Sequence, residues 1–393
     1  MNIFLLGNIQ TNFIYNWYEV IFSHVNNISV LHARSQKIGS KQAPNFIEQI
    51  EIKKKSKLYV LMIFLFNINF IKIVFLTYKY QNKRQSLFKT ISKILRYYRN
   101  NQFLKKDVDC YHLHFATLEN LVATLGISPK KLLISFWGSD LLRTEHLGYD
   151  KVVAILLKRA KYITIQNDDL KKIIISRFGN QLSEKIIVIK FPFKTCHIEK
   201  FKSLSFKNLQ RKEGFNILVG HNGHKENNHI KILHQLENLA SSKINVHLLL
   251  TYGLNNDYLN QILKFKETSK LKIFLQLDFL EDKDLIDYRS KMDLMIYAPI
   301  SDAMSGTVTE SLYANIPVLA GNWLPYSIYR NKNFPISFFN KFSEIPGIIN
   351  SNVLKPSHDV LQLHKELDRI FGTTNISSEW RGLYGKFRNT SFN

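Results

Sequence analysis

Three short segments of the 393-residue chain combine residue types and spacings that serve chemistry. The richest runs from Ile296 to Gly321: a strand-like stretch ends near Tyr297, a loop carries Asp302, and Ser305-Gly306-Thr307 opens a helix-like stretch that holds Glu310. The first turn of a helix leaves N–H groups without partners, and the macrodipole favours negative charge there, so this start suits a phosphate. Glu310, about one turn inside, is placed to accept hydrogen bonds from the vicinal hydroxyls of a ribose. The second segment follows the strand-like Phe215–Val219 as Gly220-His221-Asn222-Gly223 and then Asn227-Asn228-His229. Small residues let the backbone come close to a diphosphate, and an Asn cap leaves N–H groups pointing at it. Nearby, another strand-like run ends at Tyr252-Gly253, followed by Asn255, Asn256 and Tyr258. The third segment pairs Asp109–His114 with Ser135–Leu141, each at the carboxyl end of a strand-like run. His112 and His114 share one sheet face if that strand is regular. A lone histidine at a strand end is more often a structural hydrogen-bonding residue than a catalytic one.

The elements that must hold these residues alternate between strand and helix. Cys110–Phe115, Leu132–Phe136, Tyr162–Gln166 and Ile186–Ile189 read as strands, separated by helical stretches such as Lys151–Ala160 and Asp169–Phe178. Asn167 or Asp168 caps the latter helix and Gly179 closes it. A second series comprises Phe215–Val219, Val246–Thr251, Lys272–Gln276, Asp293–Tyr297 and Pro317–Ala320. Such alternation predicts α/β architecture with parallel sheets covered on both faces. The periodicity breaks over 191–212, which divides the chain into an N-terminal domain 1–193, a linker 194–212 and a second domain 213–363. A C-terminal helical segment 364–393 carries Trp380 and Tyr384, which predict docking back on the first domain. Ligands of such folds sit at the carboxyl ends of the strands.

With those motifs in place, the chain resembles the bacterial GT-B glycosyltransferases of surface polysaccharide and lipopolysaccharide synthesis. Asp302-x7-Glu310 matches the spacing of the E-x7-E pair of the retaining GT-B members, with Asp for the first Glu, and ANIPVLAG is similar to their A-x-G-x-P-V-I segment, with Asn315 for Gly. The ILVGHNGHKENNHI turn resembles the G-N-S-x5-N-x-H turn of the TDP-4-acetamido-4,6-dideoxygalactose transferases, and Trp137-Gly138-Ser139-Asp140 their W-G-x-D turn. The resemblance implies two doubly wound Rossmann-like domains facing across a cleft. It further implies a nucleotide-diphosphate sugar bound by the second domain through Gly220, Asn222, Gly223, Asn228, Tyr252, Ser305, Gly306, Thr307 and Glu310, with Asp302 on the donor sugar. Many GT-B members carry a histidine where Trp137 stands, so the base for transfer to a hydroxyl falls to Asp140 or His114, with His112 open as the alternative. No cofactor beyond the donor substrate is implied. No metal is expected, and the leaving diphosphate would rely on helix N-termini with Lys225 and Arg143 as candidate cations.

Charge shapes the remaining expectations. Lys and Arg number 54 against 31 Asp and Glu, a net charge of +23, although Lys outnumbers Arg 41 to 13 in a chain whose bias toward Asn, Ile and Phe codon usage alone can produce. Placement is more informative: 14 Lys and Arg and no acidic residue lie between Ile52 and Lys106. Within it, 83–106 reads as a basic amphipathic helix, with Lys83, Arg84, Lys89, Lys93, Arg96 and Arg99 around an apolar face of Leu87, Ile91, Ile94, Leu95 and Tyr98. These cations predict docking on an anionic membrane surface. The preceding apolar stretch 58–75 is interrupted by Asn67, Asn69 and Lys72, which favours a buried strand leading into a helix or interfacial segment over a span. No nucleic-acid-binding pattern accompanies the charge, and no secretory signal is visible, so a cytoplasmic, peripheral location on the inner membrane face is expected. Two cysteines, Cys110 and Cys196, exclude a disulfide-stapled scaffold and a Cys-rich zinc module. The expected acceptor is a polyprenyl-linked, lipopolysaccharide or capsule saccharide. A nucleotide-sugar epimerase of the same fold and a non-catalytic membrane-associated assembly subunit are the competing readings.

Overall fold

A computed structural model describes residues 1–6, 14, 17, 20–22, 29–34, 47–51, 62, 68–80, 86–100, 108–144, 147–193, 195–205, 214–239, 243–330, 333–351 and 354–388. It comprises two compact units, one formed by Met1–Pro192 with Thr373–Asn393 and the other by Phe193–Gly372.

The first unit holds a seven-stranded sheet ordered β3-β2-β1-β4-β5-β6-β7, with every pairing parallel. Its strands are β1 (Asn2–Leu6), β2 (Ser29–Arg34), β3 (Ile47–Glu51), β4 (Cys110–His114), β5 (Leu132–Ser135), β6 (Tyr162–Ile165) and β7 (Ile186–Val188). Every residue of β4 and β5 is buried, as required of parallel strands covered on both faces. Asn167 caps the Asp168–Phe178 helix by accepting from the Leu170 N–H at 2.9 Å. The C-terminal helix Thr373–Arg388 buries Trp380 and Tyr384 in this unit beside Ile3, Leu133 and Phe191, and the Trp380 indole donates to the Lys190 carbonyl at 2.9 Å. Within the acid-free segment, helices form over Ile68–Tyr80 and Leu87–Asn100. Lys83 and Arg84 lie outside the described residues, as does the side chain of Arg99. Among the described residues no helix is long and apolar enough to cross a membrane.

The second unit holds six parallel strands ordered β10-β9-β8-β11-β12-β13: β8 (Phe215–Val219), β9 (Ile244–Leu249), β10 (Lys272–Gln276), β11 (Leu294–Tyr297), β12 (Val318–Gly321) and β13 (Ile336–Phe339). The order reverses between β8 and β11, and the crevice at such a switch point is where doubly wound sheets bind ligands.

Two boundaries differ from expectation. The stretch expected to be a linker, 194–212, contains the Thr195–Ser205 helix, which belongs to the second unit. Ile198 and Phe201, three residues apart on one face, are buried in one core cluster with Val308, Leu312 and Phe371, a short apolar stripe hidden by Glu199 and Lys200 between them. The Val360–Phe371 helix likewise stays with the second unit through Leu363, Leu367 and Phe371, and the chain returns to the first unit only after Gly372. A Cβ at Gly372 would lie 2.2 Å from the Asp368 carbonyl oxygen, so glycine alone fits that corner.

Candidate functional site

In the second unit, the turn after β8 is built around Gly220. Its φ of +71° suits glycine, its N–H donates to the Ile296 carbonyl of β11 at 3.1 Å, and a Cβ there would stand 2.6 Å from His229 Nε2. Asn222 then organises the loop: its side-chain oxygen accepts from the His224 N–H at 2.9 Å and from Asn227 Nδ2 at 2.7 Å. Asn228, at φ +58°, ties the loop to the residue just after β11 by donating from Nδ2 to the Ala298 carbonyl at 2.8 Å. The Gly223 N–H donates to the Tyr252 carbonyl at 2.8 Å, and the Tyr252 ring is half exposed. Burial pushes the His221 imidazole down to about 3, with the Arg289 charge adding to it, and that of His229 down to about 4. Both rings are therefore neutral at physiological pH.

Across the switch point, Ser305 caps the Gly306–Tyr313 helix, its hydroxyl facing the Val308 N–H at 3.4 Å. Glu310 pairs with Arg289 Nη1 through Oε2, while Oε1 lies 3.8 Å from His197 Nδ1. Arg289 Nη2 donates to the Thr307 hydroxyl at 3.2 Å. Arg289 Nε is buried with no hydrogen-bond partner among the described residues. His197 Nε2 stands 2.9 Å from Asp282 Oδ2. The neighbouring Glu310 carboxylate first, and that of Asp282, hold the imidazole above its ordinary value against the opposing effect of burial. Two interactions leave a carboxylate with lone pairs to spare, so Glu310 keeps acceptor capacity for hydroxyls. Asp302 is held differently: Oδ2 accepts from the Tyr326 hydroxyl at 2.6 Å and from the Tyr297 hydroxyl at 3.2 Å, both rings being buried. Burial, and next the Asp302 charge, raise both phenols well above their usual range, which keeps them as donors.

The first unit places its expected residues otherwise. Asp140 is buried and knits two strand-end turns together: Oδ1 accepts from the Trp137 and Gly138 N–H groups, each at 2.9 Å, and Oδ2 accepts from the Ala116 N–H at 2.7 Å. Burial pushes it up to about 6 despite those donors. It lines a cavity of about 310 Å³ with Lys93, Thr117, Glu119, Phe136 and Arg177. Expecting a base at His114 does not fit this environment. His114 has no exposed surface, its Nδ1 accepts from the Trp137 indole at 3.1 Å, and burial pushes it down to about 3. His112 is equally enclosed, with Nδ1 2.6 Å from the Tyr384 hydroxyl and Nε2 2.6 Å from the Ser135 hydroxyl. As placed, both are packing and positioning residues, because a base must reach the hydroxyl it deprotonates.

Of the expected docking cations, Lys89 and Arg96 are exposed on the Leu87–Asn100 helix, whereas Lys93 is half-buried at the cavity. The candidate diphosphate cations Lys225 and Arg143 are both exposed, and the buried cation beside Glu310 is instead Arg289. Sequence reasoning missed Arg289, His197, Tyr297 and Tyr326. Arg289, His197 and Tyr326 act through partners distant in sequence, whereas Tyr297 ends a strand five residues before its partner Asp302.

No protein-family model and no curated protein sequence matches the chain. Solved structures do. A glycosyltransferase from Rickettsia africae ESF-5 superposes with a TM-score of 0.68 at 16% identity, covering 99% of both chains. Anabaena HepE in complex with UDP does so with 0.66 at 12%, covering 98% of this chain and 99% of that one. A UDP-forming trehalose-phosphate synthase from Burkholderia xenovorans gives 0.64 at 9%, covering 100% and 99%. The fold class is therefore that of the GT-B glycosyltransferases, α/β with two doubly wound parallel sheets.

Proposed function

We propose that this GT-B chain is a glycosyltransferase that moves a hexosyl-type sugar from a nucleotide-diphosphate sugar to a hydroxyl of a lipid-linked saccharide at the cytoplasmic membrane face. The observation that carries the donor half is the β8/β11 switch point. There a glycine-shaped turn and the N-terminus of the Gly306–Tyr313 helix stand beside a carboxylate fixed by a buried arginine. In this reading the diphosphate lies between the Gly220 turn and the Gly306 N–H end, where backbone donors and the helix dipole meet its charge. Arg289 supplies positive charge and orients Glu310 for the ribose hydroxyls. Asp302, held by Tyr297 and Tyr326, accepts from hydroxyls of the transferred sugar. HepE structures contain UDP and UDP-glucose, which makes uridine nucleotides the first donors to test here.

On the acceptor side, we assign the saccharide to the cavity beside Asp140. Its lining of carboxylates, Thr117 and the Phe136 ring offers acceptors for hydroxyls and an apolar face for a sugar ring. A carboxylate near 6 is mostly ionised at neutral pH and suited to accept the proton of a reacting hydroxyl. The reading assigns the leaving charge to the helix end and Arg289 and invokes no divalent ion. The acid-free segment supports a lipid-linked acceptor, since its cations suit an anionic leaflet.

A thermal-shift screen of nucleotide sugars tests the proposal. A donor at ~100 times its dissociation constant stabilises a fold by ~2.7 kcal/mol, so one nucleotide sugar is expected to raise the melting temperature and to release its nucleoside diphosphate when a saccharide acceptor is added. A panel that produces no shift overturns the donor assignment.

A further inference from the structure

The helices of the acid-free segment carry an apolar surface that neither sheet covers. On the Ile68–Tyr80 helix, Phe70, Ile73, Val74 and Thr77 are buried, while Ile71, Phe75 and Tyr78 are 43%, 59% and 42% exposed. Those three positions recur at i, i+4 and i+7 and form one outward stripe. The Leu87–Asn100 helix packs against this one, with the Phe70 and Tyr98 rings edge-on at 5.5 Å, and opens with Leu87 at 44% and Phe88 at 80% exposure. Lys72, Lys79, Lys89 and Arg96 are exposed on the same two helices. The burial of Phe70, Ile73, Thr90 and Ile94 shows that the unit already has its inner apolar face, so the outer stripe is surplus to its core.

We infer that Ile71, Phe75, Tyr78 and Phe88 form a wedge that inserts into the headgroup and acyl boundary of an anionic bilayer, with the flanking cations on lipid phosphates. Charge selects this occupant. A protein partner would have to match this patch with complementary negative charge, while every Lys and Arg here lies in a segment without one Asp or Glu and suits an anionic leaflet. A second copy of the chain would set cation against cation. Nucleic acid would meet the cations and leave the aliphatic and phenylalanine surface in water. No described helix is long and apolar enough to span, so the segment lies in the interface plane, which is what an apolar stripe flanked by lysines does at a leaflet. This deepens the lipid-linked acceptor reading by naming the contact that brings the enzyme to its substrate, and it rests on that reading only for its purpose.

The test uses the full chain and vesicles of phosphatidylcholine alone or mixed with phosphatidylglycerol. Wild type is expected to sediment with the mixed vesicles. Phe75→Ser with Phe88→Ser should weaken that binding ~10–100-fold, the range expected when phenylalanine loses its apolar burial. Neutralising Lys72, Lys79, Lys89 and Arg96 to Gln should remove the dependence on phosphatidylglycerol. A separate Phe88→Trp variant should be quenched by lipids brominated in the acyl chains beyond the quenching of wild type, which surface adsorption alone does not produce. Equal binding by the double Phe variant, or no added quenching at Trp, overturns the wedge. Melting shifts with nucleotide sugars, measured on the same variants, separate the two proposals: loss of those shifts in wild type counts against the donor site alone, and unchanged shifts alongside lost vesicle binding confirm that folding was spared.

Discussion

The two sheets present the same topological opportunity and line it with different side chains. In each, the strand order reverses beside the first strand, between β1 and β4 in the first unit and between β8 and β11 in the second. At the carboxyl end of β4, the rings of Trp17, His112, His114, Trp137 and Trp380 pack with centroids as close as 3.9 Å, and Tyr384 from the C-terminal helix closes the cluster through His112. At the end of β8, a glycine and three asparagines take that place, and the buried Arg289, whose Nε has no hydrogen-bond partner among the described residues, pairs with Glu310 across the switch point. Topology alone therefore does not mark a binding crevice. The two switch points differ in the volume and polarity of their side chains, and under the proposed function it is the second that takes the donor.

Substitutions sharpen this contrast. The largest effects are expected at Trp380 and Arg289. Trp380→Ala should cost ~3–5 kcal/mol through the cavity it leaves, and Arg289→Ala should cost ~3–5 kcal/mol by stranding the Glu310 charge. Thermal melts should show similar losses for both, yet only Arg289→Ala should also abolish the stabilisation conferred by a nucleoside diphosphate. An equal loss of that stabilisation in Trp380→Ala would erase the distinction between the two crevices.

A smaller effect, ~1–3 kcal/mol, is expected for Gly220→Ala, where a Cβ is forced against His229 and the backbone holds φ +71°. Chemical denaturation should register it together with weaker nucleotide binding. If alanine is accommodated without cost, the close approach of backbone to ligand at this turn is not what glycine serves.

The smallest effects concern pH, and their signs differ. His112 and His114 have lowered values in the folded state. Below about 6.5 the unfolded chain binds more protons than the folded one, so stability falls on acidification from there toward pH 3. His197 is raised by the neighbouring Glu310 and Asp282 carboxylates. Its contribution is complete below the unfolded value of about 6.5 and is lost as pH rises through its folded value. Denaturation of His197→Gln across pH 5 to 9 should therefore show a deficit that shrinks with rising pH. A deficit that grows would contradict the ion pairs drawn around Glu310.

The same contrast explains what could be read from the residues alone. Strands β4 to β12, the Gly220 turn and the Ser305 cap were legible because their signals are local: β-branched runs, a glycine after a strand, a cap followed by a helix, whereas β2, β3 and β13 were not read. The placement of Glu310 one turn into its helix was legible for the same reason. Its partner was not, since Arg289 lies on the Asp282–Ser290 helix and reaches Glu310 only through the tertiary fold. His114 looked like a candidate base because nothing near it in sequence reveals that Trp17 and a helix some 260 residues onward enclose its strand end. Thr195–Ser205 was hidden by its lysines, whose charge masks two core contacts.

The central claim is that the second switch point binds a nucleoside diphosphate through Glu310. Calorimetric titration of UDP into wild type and Glu310→Gln tests it most directly, because Gln retains an acceptor for Arg289 while losing the charge. Loss of a charged hydrogen bond should weaken binding ~10–100-fold, with binding intact in wild type. Equal UDP affinity in the two proteins, or no measurable affinity in wild type, would contradict the account.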